Sequence, residues 1–119
     1  MIIAILKDLF FISKIKETAV QLNKTINFIK NYDELNCFLD NTEKINYENI
    51  DSIIIDLNFV EIKPLETVQK IKSNETIKNK RIIGYCAHVD IELMNQAKEL
   101  GIEVMPRSLF TKKLVDIIS

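Results

Sequence analysis

Between Asp51 and Asn58 the chain reads Asp-Ser-Ile-Ile-Ile-Asp-Leu-Asn. Three consecutive isoleucines leave a strand no polar face. Such a strand is stable where both of its faces are covered, as in a parallel sheet with helices on either side. The apolar run ends in Asp56, at the strand's C-terminal end. In open α/β sheets ligands and chemistry collect at that edge, which makes Asp56 a candidate site residue, although an aspartate there can equally cap the following loop.

The rest of the chain alternates short apolar runs with longer amphipathic ones, the βαβα pattern of a doubly wound sheet. Ile2 to Leu6 is the first strand. Ile12, Ile15, Ala19 and Leu22 recur at helical spacing and predict a helix from about Leu9 to Leu22, opened by Phe10-Phe11, with one ring inward and the other at the surface. Thr25 to Ile29 is a β-branched second strand, followed by a short helix with Leu35, Phe38 and Leu39 inward and Asp33 as its cap. The polar stretch Asn41 to Asn49 breaks both periods and is expected as a surface connection. Pro64 suits the first turn of a third helix, with Leu65, Val68 and Ile71 buried. Arg81 to Tyr85 is the fourth strand. Asp90 caps a fourth helix carrying Ile91, Met94, Ala97 and Leu100 inward, and Gly101 ends it. Ile102 to Met105 is a short fifth strand, and Ser108 caps a last helix that returns Phe110, Leu114, Ile117 and Ile118 to the core.

At 119 residues and 47% hydrophobic, the chain suits one domain, residues 1–119, with an ordinary core. Sixteen basic and 17 acidic side chains give a net charge of -1 without a block of either sign, so nucleic acid is not expected as a partner. The apolar start, Met1 to Leu6, is too short for a signal peptide or a membrane span. The two cysteines, Cys37 and Cys86, fit a reduced cytoplasmic protein better than a disulfide scaffold. With only Gly84 and Gly101, neither a dinucleotide fingerprint nor a phosphate-binding P-loop can be built.

Strict alternation with right-handed crossovers points to a three-layer α/β/α fold, a five-stranded parallel sheet in the flavodoxin-like order 2-1-3-4-5. That order brings Lys7-Asp8, Asp56-Leu57-Asn58, Cys86-Ala87-His88 and Pro106-Arg107-Ser108 to one edge. On these residues the chain resembles, over essentially its whole length, the receiver domain of bacterial two-component response regulators. The resemblance implies that Asp56 is the phosphoacceptor, and that Asp8, Asp56 and the backbone carbonyl of Asn58 are the ligands of a Mg²⁺ ion. It also implies that Cys86, followed by Ala87, stands where the family has a hydroxyl residue, that Arg107 replaces a lysine, and that Val104 takes the aromatic switch position. Lys7 replaces the second acid of the metal-binding pair.

These departures define an atypical, or pseudo-, receiver. Mg²⁺ needs carboxylates in near-octahedral geometry, so a cation in place of one acid leaves its binding weak or absent. Lys7 can instead pair with Asp56, a thiol at position 86 donates weakly, and Arg107 is a planar fork rather than a point charge. Cys86 would be redox-active only if a nearby cation held its thiolate. The expected function is a single-domain signalling module, not an enzyme, that binds a protein partner or itself. Its expected contact is the face formed by the fourth and fifth helices and the strand between them, with His88, Val89, Val104, Arg107, Ser108 and Phe110 as interface candidates. Two alternatives stand beside it: a true phospho-receiver with a weakened Mg²⁺ site, and a small-ligand binder or enzyme on a flavodoxin-like fold.

Overall fold

A computed structural model describes all of residues 1–119. The five strands are β1 (Ile2–Ile5), β2 (Ile26–Ile29), β3 (Ser52–Asp56), β4 (Arg81–Cys86) and β5 (Glu103–Pro106). They form one sheet in the order β2-β1-β3-β4-β5, every pair parallel. The isoleucine strand is its centre, as an all-apolar strand requires. The helices are α1 (Leu9–Gln21), α2 (Tyr32–Leu39), α3 (Pro64–Lys72), α4 (Ile91–Glu99), α5 (Arg107–Lys112) and α6 (Leu114–Ile118). The expected last helix is thus divided at Lys113.

Strand alternation sorts the core into two layers. Ile3, Ile5, Ile53, Ile55 and Ile82 face α2, α3 and α4, which contribute Leu35, Phe38, Val68, Ile71 and Ala97. Ile2, Ala4, Ile54, Ile83 and Tyr85 face α1, α5 and α6, which contribute Phe11, Ile15, Phe110 and Leu114. Phe11 is buried while Phe10 lies in water, as expected of that pair. Gly84 lets Leu57 lie close against β4, since a Cβ there would meet the Leu57 Cδ1 at 2.9 Å.

Several local expectations are corrected. The cap of α2 is Asn31, whose side chain accepts from Glu34 N at 2.8 Å, while Asp33 sits in the first turn. Only Asn31 has the extended backbone that aims a side chain at the free N–H groups. Helix α5 starts at Arg107 after Pro106, without a side-chain cap, so Ser108 is inside the helix. In α4 the buried side is made by Ala97 with Leu93, Met94 and Leu100, and Ile91 is exposed. The stretch Asn41 to Asn49 is not all surface: Tyr47 is buried, and its hydroxyl donates to the Phe38 and Leu39 carbonyls that close α2. The Phe38 carbonyl also accepts from Asn41 N at 3.1 Å, so the phenol adds a second donor where α2 ends.

Candidate functional site

Asp56 closes β3 at the C-terminal edge of the sheet, paired in register with Tyr85 of β4. It is one of the few polar residues buried in the molecule, at 8% exposure. Asn58 N donates to its Oδ1 at 2.9 Å. Burial pushes the Asp56 carboxyl above the usual range, the Asn58 N–H and the Arg107 charge pull it back, and Asp8 pushes it up again. A carboxyl whose pKa is raised by folding contributes stability below its unfolded pKa and loses that contribution as pH rises through the folded value. Asp56→Asn keeps an oxygen for Asn58 N and removes the buried charge. It is expected to stabilise the domain at neutral pH by on the order of 1 kcal/mol. Thermal melts from acid to neutral pH should show the two proteins converging at the acid end, and a less stable variant at neutral pH would sink this account.

Asp8 is the N-cap of α1, and its Oδ1 accepts from Phe10 N at 2.9 Å and Phe11 N at 3.2 Å. Lys7 does not pair with Asp56. Its ammonium stands 5.5 Å from the centroid of the buried Phe59 ring. Arg107 makes no ion pair either, and its guanidinium lies over the rings of Phe11 at 5.6 Å and Tyr85 at 6.0 Å. Both long cations rest on aromatic faces, where the stem packs and the charge stays wet.

Asn58 holds the edge together. Its Nδ2 donates to Asp90 Oδ2 at 2.8 Å, and its Oδ1 accepts from Ala87 N at 2.8 Å, so the loop after β3 is tied to the loop after β4. Asp90 is accordingly not a side-chain cap of α4, because its carboxylate is turned back to Asn58. The backbone carbonyl of Asn58 accepts from Val60 N at 2.9 Å.

Cys86 is fully buried and belongs to the core layer facing α2, α3 and α4. Burial raises its thiol pKa, Asp90 and Asp56 nearby add to the rise, and the Arg107 charge opposes it. The residue that sequence reasoning missed is Tyr85, fully buried, stacked on Phe110 at 4.5 Å and set against Phe11 at 5.3 Å. Its hydroxyl has no hydrogen-bond partner, and burial beside the Asp56 and Asp8 charges pushes its pKa up. A single aromatic residue in β4, following Ile82, Ile83 and Gly84, is the signal the sequence offers.

Of the interface candidates, His88, Arg107 and Ser108 meet in one place. With Ala87, Thr111 and Lys112 they line an open groove of about 570 Å³. Val89 is 69% exposed and Val104 is half-buried. Phe110 is corrected: at 0% exposure it is core, because helical spacing turns it with Leu114 toward Tyr85.

A Mg²⁺ ion is the group that the resemblance implies here. Nowhere do three carboxylate, imidazole or thiol groups converge as a metal cluster. At the Asp56 edge, Asp8 and Asp56 each commit an oxygen to backbone N–H groups, and the residue next to Asp8 is the cation Lys7. That donor set does not fit a tight octahedral Mg²⁺ site.

No protein-family model and no curated protein matches the sequence. Solved structures do match the fold. The chemotaxis response regulator CheY4 of Vibrio cholerae superposes with a TM-score of 0.76 at 14% identity, over 98% of this chain and 94% of that one. The phosphorylated cyanobacterial phytochrome response regulator RcpA gives 0.74 at 19%, over 98% and 87%. A signal receiver domain of a two-component histidine kinase from Clostridium thermocellum gives 0.74 at 20%, over 97% and 90%. The chain therefore has the receiver-domain fold of response regulators.

Proposed function

We propose that this chain is a receiver-like signalling module that acts in the cytoplasm through protein contact, with a degenerate phosphorylation site. The observation that carries this reading is the exchange of an acid for a cation at the Asp56 edge: Lys7 stands beside Asp8, and no third acid joins Asp8 and Asp56. Phosphoryl transfer to a carboxylate depends on a metal ion to neutralise the charge that develops on the phosphoryl oxygens. A lysine repels that ion. Buried Cys86 is also a poor donor to a phosphoryl oxygen, so strand β4 would read a modified Asp56 weakly.

The contact surface is the face of α4, β5 and α5, and the groove at its upper end gives the partner's chemistry. His88, Arg107 and Lys112 line it with two hydroxyl residues and no acid. It suits an acidic segment of another protein, with Arg107 able to leave its aromatic perch for a bidentate carboxylate.

A second reading, a working phospho-receiver, is favoured by one observation: Asp56 is not ion-paired, so its carboxylate is not quenched by Lys7 or Arg107. NMR spectra with and without Mg²⁺ and a beryllium fluoride mimic separate the two. We expect backbone shifts at Asp8, Asp56 and Ala87 to stay nearly unchanged at sub-millimolar Mg²⁺, and a saturable shift there would transfer the assignment to the phospho-receiver. Arg107→Ala, which gives up the contacts with the Phe11 and Tyr85 rings, is expected to cost about 1 kcal/mol or less of stability while weakening partner binding.

A further inference from the structure

The first turns of the four longer helices are not treated alike. Asp8 caps α1, Asn31 caps α2, and α3 begins with Pro64, whose missing N–H needs no partner. Helix α4 has neither device: Asp90 stands at its N-cap position, yet no side chain bonds its first N–H groups. The residue type suits a cap and the backbone does not. The ψ angle of Asp90 is 59°, against 112° for Asp8 and 173° for Asn31, and its Oδ2 accepts instead from Asn58 Nδ2 at 2.8 Å.

Asn58 is itself held from two sides. Its N–H donates to Asp56 Oδ1 at 2.9 Å, and its Oδ1 accepts from Ala87 N at 2.8 Å. Asp90 N donates to the Ala87 carbonyl at 3.0 Å and closes the turn Ala87-His88-Val89-Asp90. A continuous chain of hydrogen bonds therefore runs from the buried Asp56 carboxyl through Asn58 to Asp90, at the start of α4. Its last link has an alternative partner, because extended backbone at Asp90 would aim the carboxylate at the N–H groups of Glu92 and Leu93.

We propose that Asn58 is a latch on α4: it holds Asp90 off the helix, so the junction between β4 and α4 has two arrangements, the latched one of this structure and a released one in which Asp90 caps α4. The exchange trades one side-chain hydrogen bond for another of similar strength and leaves the sheet and both core layers as they are. A ligand or partner that binds one arrangement better shifts the balance toward it. The latch itself requires no partner. Only its use in signalling, through the α4 side of the contact face, rests on the proposed function.

Amide exchange with solvent at Glu92 and Leu93, measured by NMR with Ala97 as the internal reference for an intact α4, tests the latch. Asn58→Asp keeps an oxygen for Ala87 N and sets a carboxylate against Asp90. Exchange at Glu92 and Leu93 is expected to slow by about five-fold in this variant as the released Asp90 caps the helix. A merely structural Asn58 gives the opposite sign, because loss of a tie between two loops speeds exchange. Adding Asp90→Ala to Asn58→Asp should abolish the slowing, and Asp90→Ala alone should change the two rates by less than about two-fold, since Asp90 does not cap α4 while latched. Unchanged or faster exchange in Asn58→Asp, slowing that survives in the double variant, or a larger acceleration in Asp90→Ala alone would each overturn the proposal. None of these readouts involves Mg²⁺ or a partner, so the latch and the proposed function fail separately.

Discussion

Phe110→Ala is expected to destabilise the domain by about 3–5 kcal/mol, the usual range for removing a fully buried aromatic ring. The ring is 0% exposed, stacks on Tyr85 at 4.5 Å with the planes 25° apart, and meets Phe11 edge-on at 6.0 Å. It is the only buried residue of α5, so its loss also loosens the segment that carries Arg107 and Ser108. A small domain commonly has a total stability of about 5–15 kcal/mol, so the variant should be partly unfolded at modest urea concentrations. Phe110→Leu, which keeps an apolar side chain in place, should cost much less. Urea titrations followed by circular dichroism decide the matter. A loss below about 1 kcal/mol would show that the site collapses around the gap. Loss of partner binding at unchanged stability would return Phe110 to the interface.

Lys7→Asp is expected to raise the affinity for Mg²⁺ by a factor of roughly 30. The substitution swings the local charge by two units against a divalent ion, and at about 8 Å in water-like surroundings that swing is worth about 2 kcal/mol. Direct ligation by the new carboxylate would add to it. Lys7→Ala, which removes the repulsion and supplies no ligand, should give about half of the effect in free energy. Lys7 rests on Phe59 and holds no ion pair, so neither change should perturb the fold by more than about 1 kcal/mol. Calorimetric titration of the three proteins with Mg²⁺ checks the series. Equal weak binding in all three would mean that the cation is kept out by something other than Lys7, with Arg107 the next charge to test.

Much of this molecule was legible in its order of residues. Periodicity is a local property, so the triple isoleucine of β3, the helical spacing of Ile15 and Ala19, and the stop at Gly101 located the elements without reference to one another. Handedness and strand alternation then leave little choice of sheet order, and Asp56 follows from being the polar residue that ends the central strand. The caps were less legible. Asn31 and Asp33 are both good cap residues two positions apart, and the choice rests on which one has extended backbone.

Residue order alone set the alternation of elements, the parallel sheet and the placing of Asp8, Asp56, Cys86 and Arg107 near one edge. The tertiary structure decided which partners those side chains take. Lys7 and Arg107 reach several groups from one backbone position, and both settle on aromatic rings instead of on Asp56 because Phe59, Phe11 and Tyr85 are brought there by other elements. Asn58 spends its amide on Asp90 and Ala87, across an interval of chain that no local pattern spans. Cys86 and Tyr85 are adjacent in sequence yet belong to opposite core layers, and strand alternation puts the phenol, not the thiol, on the face shared with Phe110 and Arg107. Backbone preference is settled within a few residues, whereas a long or polar side chain is committed only when the packed neighbours that could satisfy it are in place.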